Sequence, residues 1–304
     1  MYMYPLVSIA MATYNGEKYI DEQISSIIGQ TYNNIELIIV DDCSTDGTWK
    51  KLQSWQQQYP TVISIYRNDQ NIGVNKNFEK AFGLTKGEWI AVCDQDDIWY
   101  PNKLEVLMQY TRQYPEYTLF HHNENALNST TKTTTKNYWQ PYEGNSTNIL
   151  FVFNRLSGHQ VMFHSSLLKY ILPIPEVAYD WWINMIVAIK GKAKYIPEAL
   201  MAYRFHSESA YFSNVAKHLA DVTIPIRKAL AAFDTIEGMN LYDKQILQKF
   251  QQLYSKHTPH KLDISMFLYF IRNRNVFFKD FYTKRRGFGR ELFLLRLCRA
   301  FSKW

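Results

Sequence analysis

Cysteine is nearly absent from this chain. Cys43, Cys93 and Cys298 are the only three in 304 residues, far apart and with no CxxC pair. That spacing argues against a disulfide framework or a zinc site and fits a reducing cytosol. Long apolar runs are missing too: nothing approaches the roughly 20 residues of a spanning helix. No basic leader precedes the apolar start, so "PLVSIAMATYN" reads as a first strand running into a polar turn rather than as a signal peptide. No internal repeat is present.

What is there is globular. Apolar residues make up 46% and charged residues 20%, which excludes wholesale disorder, and the length suits one large α/β domain or such a domain with an appendage. Aromatics reach 16%, mostly Tyr. The net charge of +6 is uneven: residues 261–304 carry 11 Lys and Arg against 3 Asp and Glu, while residues 1–260 are slightly acidic. In that tail, "FLYFIRNRNVFFKDFYTKRRGFGRELFLLRLCRAF" alternates basic groups with bulky apolar ones. The pattern favours an anionic membrane surface over nucleic acid, with an oligomer interface, or packing on the rest of the chain, as the competing readings.

The first hundred residues alternate strand-like and helix-like segments. "VSIAMA", "IELIIVDD", "VISIYRN" and "EWIAVCD" are buried strands. "EKYIDEQISSIIGQ", "TDGTWKKLQSWQQQY" and "GVNKNFEKAFGLT" have helical periodicity. In the second helix Leu52 and Trp55 point inward, and Thr45 or Asp46 can cap it. Such alternation predicts a mainly parallel sheet with helices on both faces, whose ligands gather at the carboxyl ends of the strands. After Tyr110, "ENALNSTTKTTTKNYWQPYEGNST" is polar and poor in core residues, which predicts a loop. Periodicity returns in "QVMFHSSLLKYILPIP" and "YDWWINMIVAIKGKAKYIPEALMAYRFH", and a helical pattern follows from about Ala216. The division expected is a catalytic domain over residues 1–215 and a helical, basic-aromatic region over residues 216–304.

The chemistry concentrates where "WIAVCDQDDIWYPNKL" sets Asp94, Asp96 and Asp97 at the end of an apolar strand. A lone loop acid only keeps a strand end solvated. Three acids in four residues repel and raise one another's pKa unless a cation shares them, and carboxylates with diphosphate oxygens suit octahedral Mg²⁺ or Mn²⁺. A second acidic strand end, "VDDCSTDGT", holds Asp41 and Asp42. There an acid either precedes a helix N-terminus or meets a ribose hydroxyl or a base N–H. The first strand ends nearby at Tyr14, whose ring can pack on a base. Asp180 opens an apolar helix, where it can act as a cap and still accept a proton at a pocket rim. Trp181 and Trp182 divide between core and a stacking platform for sugars, and His159 and His164 read as structural.

These segments, in their order and spacing over residues 5–210, resemble the family-2 glycosyltransferases of GT-A fold. "DQDDIW", "YDWW" and "YRFH" look most like the bacterial rhamnosyltransferase subgroup. The resemblance implies a GT-A α/β fold with a helical C-terminal extension. It further implies that Ala12, Tyr14 and Asp42 hold the base, Asp94 and Asp96 face ribose and diphosphate, and Asp97 binds Mn²⁺ or Mg²⁺. His206 falls at a family position near the diphosphate, as a metal ligand or phosphate donor; Lys76 falls where a basic residue faces the nucleotide; and Asp180 is the catalytic base. Where the family often has Ser-Asp this chain has His122-Asn123, and where it has a small residue or Cys after Gly158 this chain has His159.

With one base and no second nucleophilic carboxylate, the implied reaction is inverting sugar transfer from a nucleoside-diphosphate donor. dTDP-rhamnose is the first expectation for that donor and a UDP-hexose the alternative. The implied acceptor is a hydroxyl of a cell-surface polysaccharide or lipid-linked glycan. Location would then be cytoplasmic, on the inner face of the cell membrane. Two rivals remain. A nucleotidyltransferase usually opens with a Gly-rich basic loop, which "ATYNGEKY" is not. An inactive nucleotide-sugar-binding scaffold would not need acids at both the metal and base positions.

Overall fold

The structure, a computed structural model, describes residues 4–128, 133–136, 142–151, 154–206, 223–256 and 263–277. Two compact units are present. The first takes Met1–Asn145, Leu156–Pro175 and Tyr179–His206; the second takes Ser146–Arg155, Glu176–Ala178 and Ser207–Trp304.

The first unit is built on β1 (Val7–Thr13), β2 (Ile35–Asp41), β3 (Ile63–Arg67) and β4 (Trp89–Cys93), which pair in parallel in the order β3-β2-β1-β4. Val7, Ile9, Ala10 and Met11 are all fully buried, so both faces of β1 are covered, as the near-continuous apolar run requires. The covering helices include α1 (Ile20–Ile28), α2 (Thr48–Gln58) and α3 (Val74–Leu84). Leu52 of α2 is in the core, while Trp55 is only partly buried and donates its Nε1–H to Asp21 at 2.8 Å. The cap position of α2 is Gly47, so neither Thr45 nor Asp46 fills it; Asp46 accepts the Thr48 N–H at 3.0 Å, and the Thr45 N–H is bonded to Asn15 at 2.8 Å.

Beyond β4 the sheet becomes mixed. The elements are β5 (Ile98–Trp99), α4 (Lys103–Gln113), β6 (Leu119–Asn128), β7 (Thr134–Lys136), β8 (Val161–His164), α5 (Leu168–Ile171), α6 (Tyr179–Lys190) and β9 (Ala193–Phe205). β8 enters antiparallel between β4 and β6, β9 runs parallel to β6, and β5 closes antiparallel on the end of β9. The loop expected over "ENALNSTTKTTTK" is therefore corrected: Glu124–Asn128 belong to β6 and Thr134–Lys136 to β7. The polar composition misled because this strand carries His121, His122, Asn123 and Glu124 buried, bonded to other protein groups rather than to water.

The second unit holds α7 (Thr223–Asp234), α8 (Leu241–Lys256), α9 (Ile264–Arg272) and α10 (Arg274–Phe277). Its core includes Phe233, Phe250, Tyr254, Met266 and Phe270, with Phe277 against Phe250 at 5.2 Å between ring centroids. The basic-aromatic segment thus starts as core rather than as a lipid-facing surface; its remainder, residues 278–304, lies outside the described residues. Among the described residues no helix is long and apolar enough to cross a membrane.

Candidate active site

The acid loop follows β4 and is fixed from two sides. The Gln95 amide accepts from the Tyr14 N–H at 2.9 Å and donates to the Tyr14 carbonyl at 3.0 Å, tying the loop to the end of β1. A Cβ on Gly16 would collide with that amide, so a larger residue there would displace Gln95 from this tie. From the other side, β5 pairs with Met201 and Ala202 of β9. This brings Arg204 under the loop, its N–H on Asp97 Oδ1 at 3.0 Å and its Nε–H on the Asp96 carbonyl at 2.7 Å. Asp97 is fully buried, and its Oδ2 has no hydrogen-bond partner.

Asp94, Asp97 and His159 converge, each offering one ligand atom within 4.8 Å of the others. His159 stands on the turn Gly158–Gln160, stacked on Tyr203 at 4.7 Å and 12°. Its Nε2 is 2.7 Å from Glu124 Oε2 and its Nδ1 is 3.4 Å from Asp94 Oδ2. Gly158 is required because a Cβ would strike the Tyr179 hydroxyl. Beneath the cluster, Lys103 is also buried, its Nζ 3.1 Å from the His159 carbonyl and 3.8 Å from the centroid of the Trp99 ring.

Burial holds the Asp97 carboxyl well above its usual range, and Asp96 and Asp94 add to this against His159 and the Arg204 N–H. For His159, burial disfavours the charge but is outweighed by the Glu124 carboxylate and the contacts to Asp94, so the imidazole lies well above its ordinary value. Burial pushes the Lys103 amine down to about 7, with Cys93, Asp97, Glu124 and Asp94 opposing. Two carboxylate oxygens and one imidazole nitrogen within 4.8 Å of one another fit a divalent cation, and Asp97 has one oxygen without a partner. The imidazole favours Mn²⁺ over Mg²⁺.

The other residues singled out in the sequence fall around this cluster. Ala12 is part-exposed and Tyr14 is 45% exposed at the end of β1. Asp42 is buried, and its carboxylate accepts from Asn68 Nδ2 at 2.8 Å and from the N–H groups of Ile72 and Gly73 at 2.9 Å each. Lys76 pairs with Glu79 at 2.8 Å and donates to the Ile174 carbonyl at 3.1 Å. Asp96 meets His206, Oδ2 to Nε2 at 2.8 Å, and His206 packs on Tyr19 at 4.7 Å between centroids. Asp180 sits part-exposed in the first turn of α6, accepting the Trp181 N–H at 2.8 Å. Burial raises the pKa of the Tyr179 hydroxyl, and the charges of Asp94 and Asp180 both add to the rise. Trp182 is core, its Nε1–H on the Ile171 carbonyl at 2.8 Å.

His159, Glu124, Gln95 and Arg204 were not singled out as site residues by sequence. The departure at Gly158-His159 was the available signal for the first. The polar run His121–Glu124 inside a strand gave one for the second.

A mixed α/β sheet with acids gathered at the carboxyl ends of its parallel strands defines the GT-A class, and solved structures agree. S. aureus TarS with UDP-GlcNAc matches with a TM-score of 0.61 at 16% identity, over 97% of this chain and 83% of that one. Mannosyltransferase PcManGT from Pyrobaculum calidifontis, with GDP-Man and Mn²⁺, matches with a TM-score of 0.60 at 14% identity, over 100% and 88%. The chain belongs to glycosyl transferase family 2, which matches residues 8–172. An uncharacterised protein of Mycobacterium tuberculosis is 27% identical over 212 residues, 68% of this chain and 61% of that protein's length. A protein of Escherichia coli named as a colanic acid biosynthesis glycosyl transferase, WcaA, is 38% identical over 125 residues, 40% of this chain and 43% of its own.

A raised carboxyl pKa means that Asp97 costs the fold nothing below the ordinary Asp range and progressively more as pH rises toward its folded value. In excess chelator, Asp97→Asn should therefore melt higher than the parent near neutral pH, by about 2–4 °C per kcal/mol. The gap should close as pH falls to about 4. Circular-dichroism melts across that range check this; a variant that melts lower at neutral pH contradicts the buried-charge account.

Proposed function

We propose that this chain transfers a sugar, with inversion, from a nucleoside-diphosphate donor to a hydroxyl of a cell-surface polysaccharide or lipid-linked glycan. The observation that carries the reading is the buried, partnerless Oδ2 of Asp97 beside Asp94 and His159. Family membership, the donors held by TarS and PcManGT and the Mn²⁺ in PcManGT support it, as does the relation to WcaA. dTDP-rhamnose is the donor proposed first, on the "DQDDIW", "YDWW" and "YRFH" segments; a UDP-sugar is second, favoured by TarS.

In this reading Asp94, Asp97 and His159 hold Mn²⁺ or Mg²⁺, which when bound neutralises negative charge on the departing diphosphate. His206, held by Asp96, faces the diphosphate. Tyr14 presents its ring to the base. Asp42, already bonded to the Ile72–Gly73 backbone, shapes that pocket by fixing the loop before α3. Lys76 acts through Glu79 and the Ile174 carbonyl. Asp180 takes the acceptor proton, and the acceptor oxygen attacks the anomeric carbon opposite the leaving group.

Nucleoside-diphosphate release from a panel of nucleotide sugars should require Mn²⁺ or Mg²⁺ and stop in excess chelator. Asp180→Asn should lower turnover by about 10²–10⁴-fold and keep donor affinity by calorimetry. Undiminished release in chelator, or unchanged turnover in the variant, contradicts the assignment.

We also propose that the segment after Phe277, with eight Lys and Arg against two acids, attaches the chain to the anionic inner face of the membrane at about 1 kcal/mol per basic residue near the surface. Because Met266, Phe270 and Phe277 are core, a test truncation belongs after Phe277. The full chain should co-sediment with anionic liposomes in a salt-dependent way and the truncated chain should not. Equal recovery of both contradicts attachment and leaves the oligomer interface.

A further inference from the structure

β6 and β9 pair in parallel, but their register slips between His122 and Asn123 and again between Asn123 and Asn125. In a regular strand successive side chains alternate between the two faces, and an irregularity re-aims one of them. Here the residue inside the slip is Glu124, fully buried, its N–H bonded to its neighbour's Asn123 Oδ1 at 3.0 Å. Its carboxylate reaches the far nitrogen of His159, Oε2 to Nε2 at 2.7 Å. The other ring nitrogen, Nδ1, lies 3.4 Å from Asp94, longer than a good hydrogen bond, and Asp94, Asp97 and His159 each offer a ligand atom within 4.8 Å of the others. Tyr203 stacks flat on the imidazole and Lys103 holds the His159 carbonyl, so ring and backbone are both constrained.

We infer that Glu124 is the positioning residue of this site, fixing one proton of His159 on Nε2 so that Nδ1, on giving up its own proton to solvent, would face the divalent cation shared with Asp94 and Asp97. A carboxylate behind a ligating histidine sets the ring's tautomer and orientation and raises its basicity as a ligand. Glu124 touches neither donor nor acceptor in this arrangement; it acts through His159. The inference rests on the metal reading above. The competing role is a buried counter-charge that only holds β6 against the Gly158–Gln160 turn.

The two are separated by Mn²⁺ titration calorimetry on the full chain, without donor or acceptor. Four proteins are compared: the parent, Glu124→Gln, His159→Asn and the double variant, with circular dichroism confirming the fold of each. Glu124→Gln should weaken Mn²⁺ binding by about 10–100-fold. His159→Asn should weaken it at least as much, and adding Glu124→Gln to His159→Asn should cost nothing further. Equal Mn²⁺ affinity in the parent and Glu124→Gln overturns the inference while leaving the metal reading intact. So does a further loss in the double variant, because Glu124 would then act other than through His159. A parent chain that does not bind Mn²⁺ overturns the metal reading and the inference together. Should Glu124→Gln not fold, His159→Asn carries the test, and an affinity equal to the parent's overturns the inference.

Discussion

Four carboxylates, those of Asp94, Asp96, Asp97 and Glu124, crowd the carboxyl end of β4 and the neighbouring part of β6, two of them fully buried. Like charges about 4 Å apart repel by about 4 kcal/mol at the effective dielectric of a protein surface, and by more when enclosed. The fold answers with His159 between Asp94 and Glu124, His206 on Asp96 and the Arg204 N–H on Asp97. One oxygen of Asp97 is left over. The proposed cation site rests on that oxygen and on the convergence of Asp94, Asp97 and His159.

Two remote pairings make the crowding tolerable. The Gln95 amide ties the acid loop to Tyr14 at the end of β1, and the short β5 ties it to β9, whose end supplies Arg204 and leads to His206. Both pairings are non-local in sequence. The acid loop is therefore held from two sides, with Asp97 buried and Asp94 partly exposed.

What sequence reasoning reached, and where it stopped, follows from the same physics. The four parallel strands and their helices were legible because covered faces demand apolar runs and 3.6-residue periodicity. Asp94, Asp96 and Asp97 stood out because three acids close one apolar strand, and His206 because its segment resembles family 2 glycosyltransferases; the roles of all four stay proposals. The second half of β6 was not, since the run from Asn123 to Asn128 is polar apart from Ala126 and Leu127 and has the composition of a loop; partners distant in the chain justify burying Glu124. His159 was read as structural for a similar reason: its contacts come from Glu124 of β6 and from Asp94 in the loop after β4, 35 and 65 positions away. At the start of the basic-aromatic segment the expectation of a membrane face did not hold, because Met266, Phe270 and Phe277 are core residues, the two rings packed around Phe250; residues 278–304 lie outside the described residues.

The central claim is that Asp94, Asp97 and His159 form one cation site. Anomalous scattering from crystals of the chain grown with Mn²⁺ and a nucleoside diphosphate tests it most directly. The account predicts a manganese peak bonded to Asp97 Oδ2 and His159 Nδ1, with Glu124 still on Nε2. A peak on Asp96 and His206 with His159 uninvolved, or no peak at saturating Mn²⁺, would contradict it.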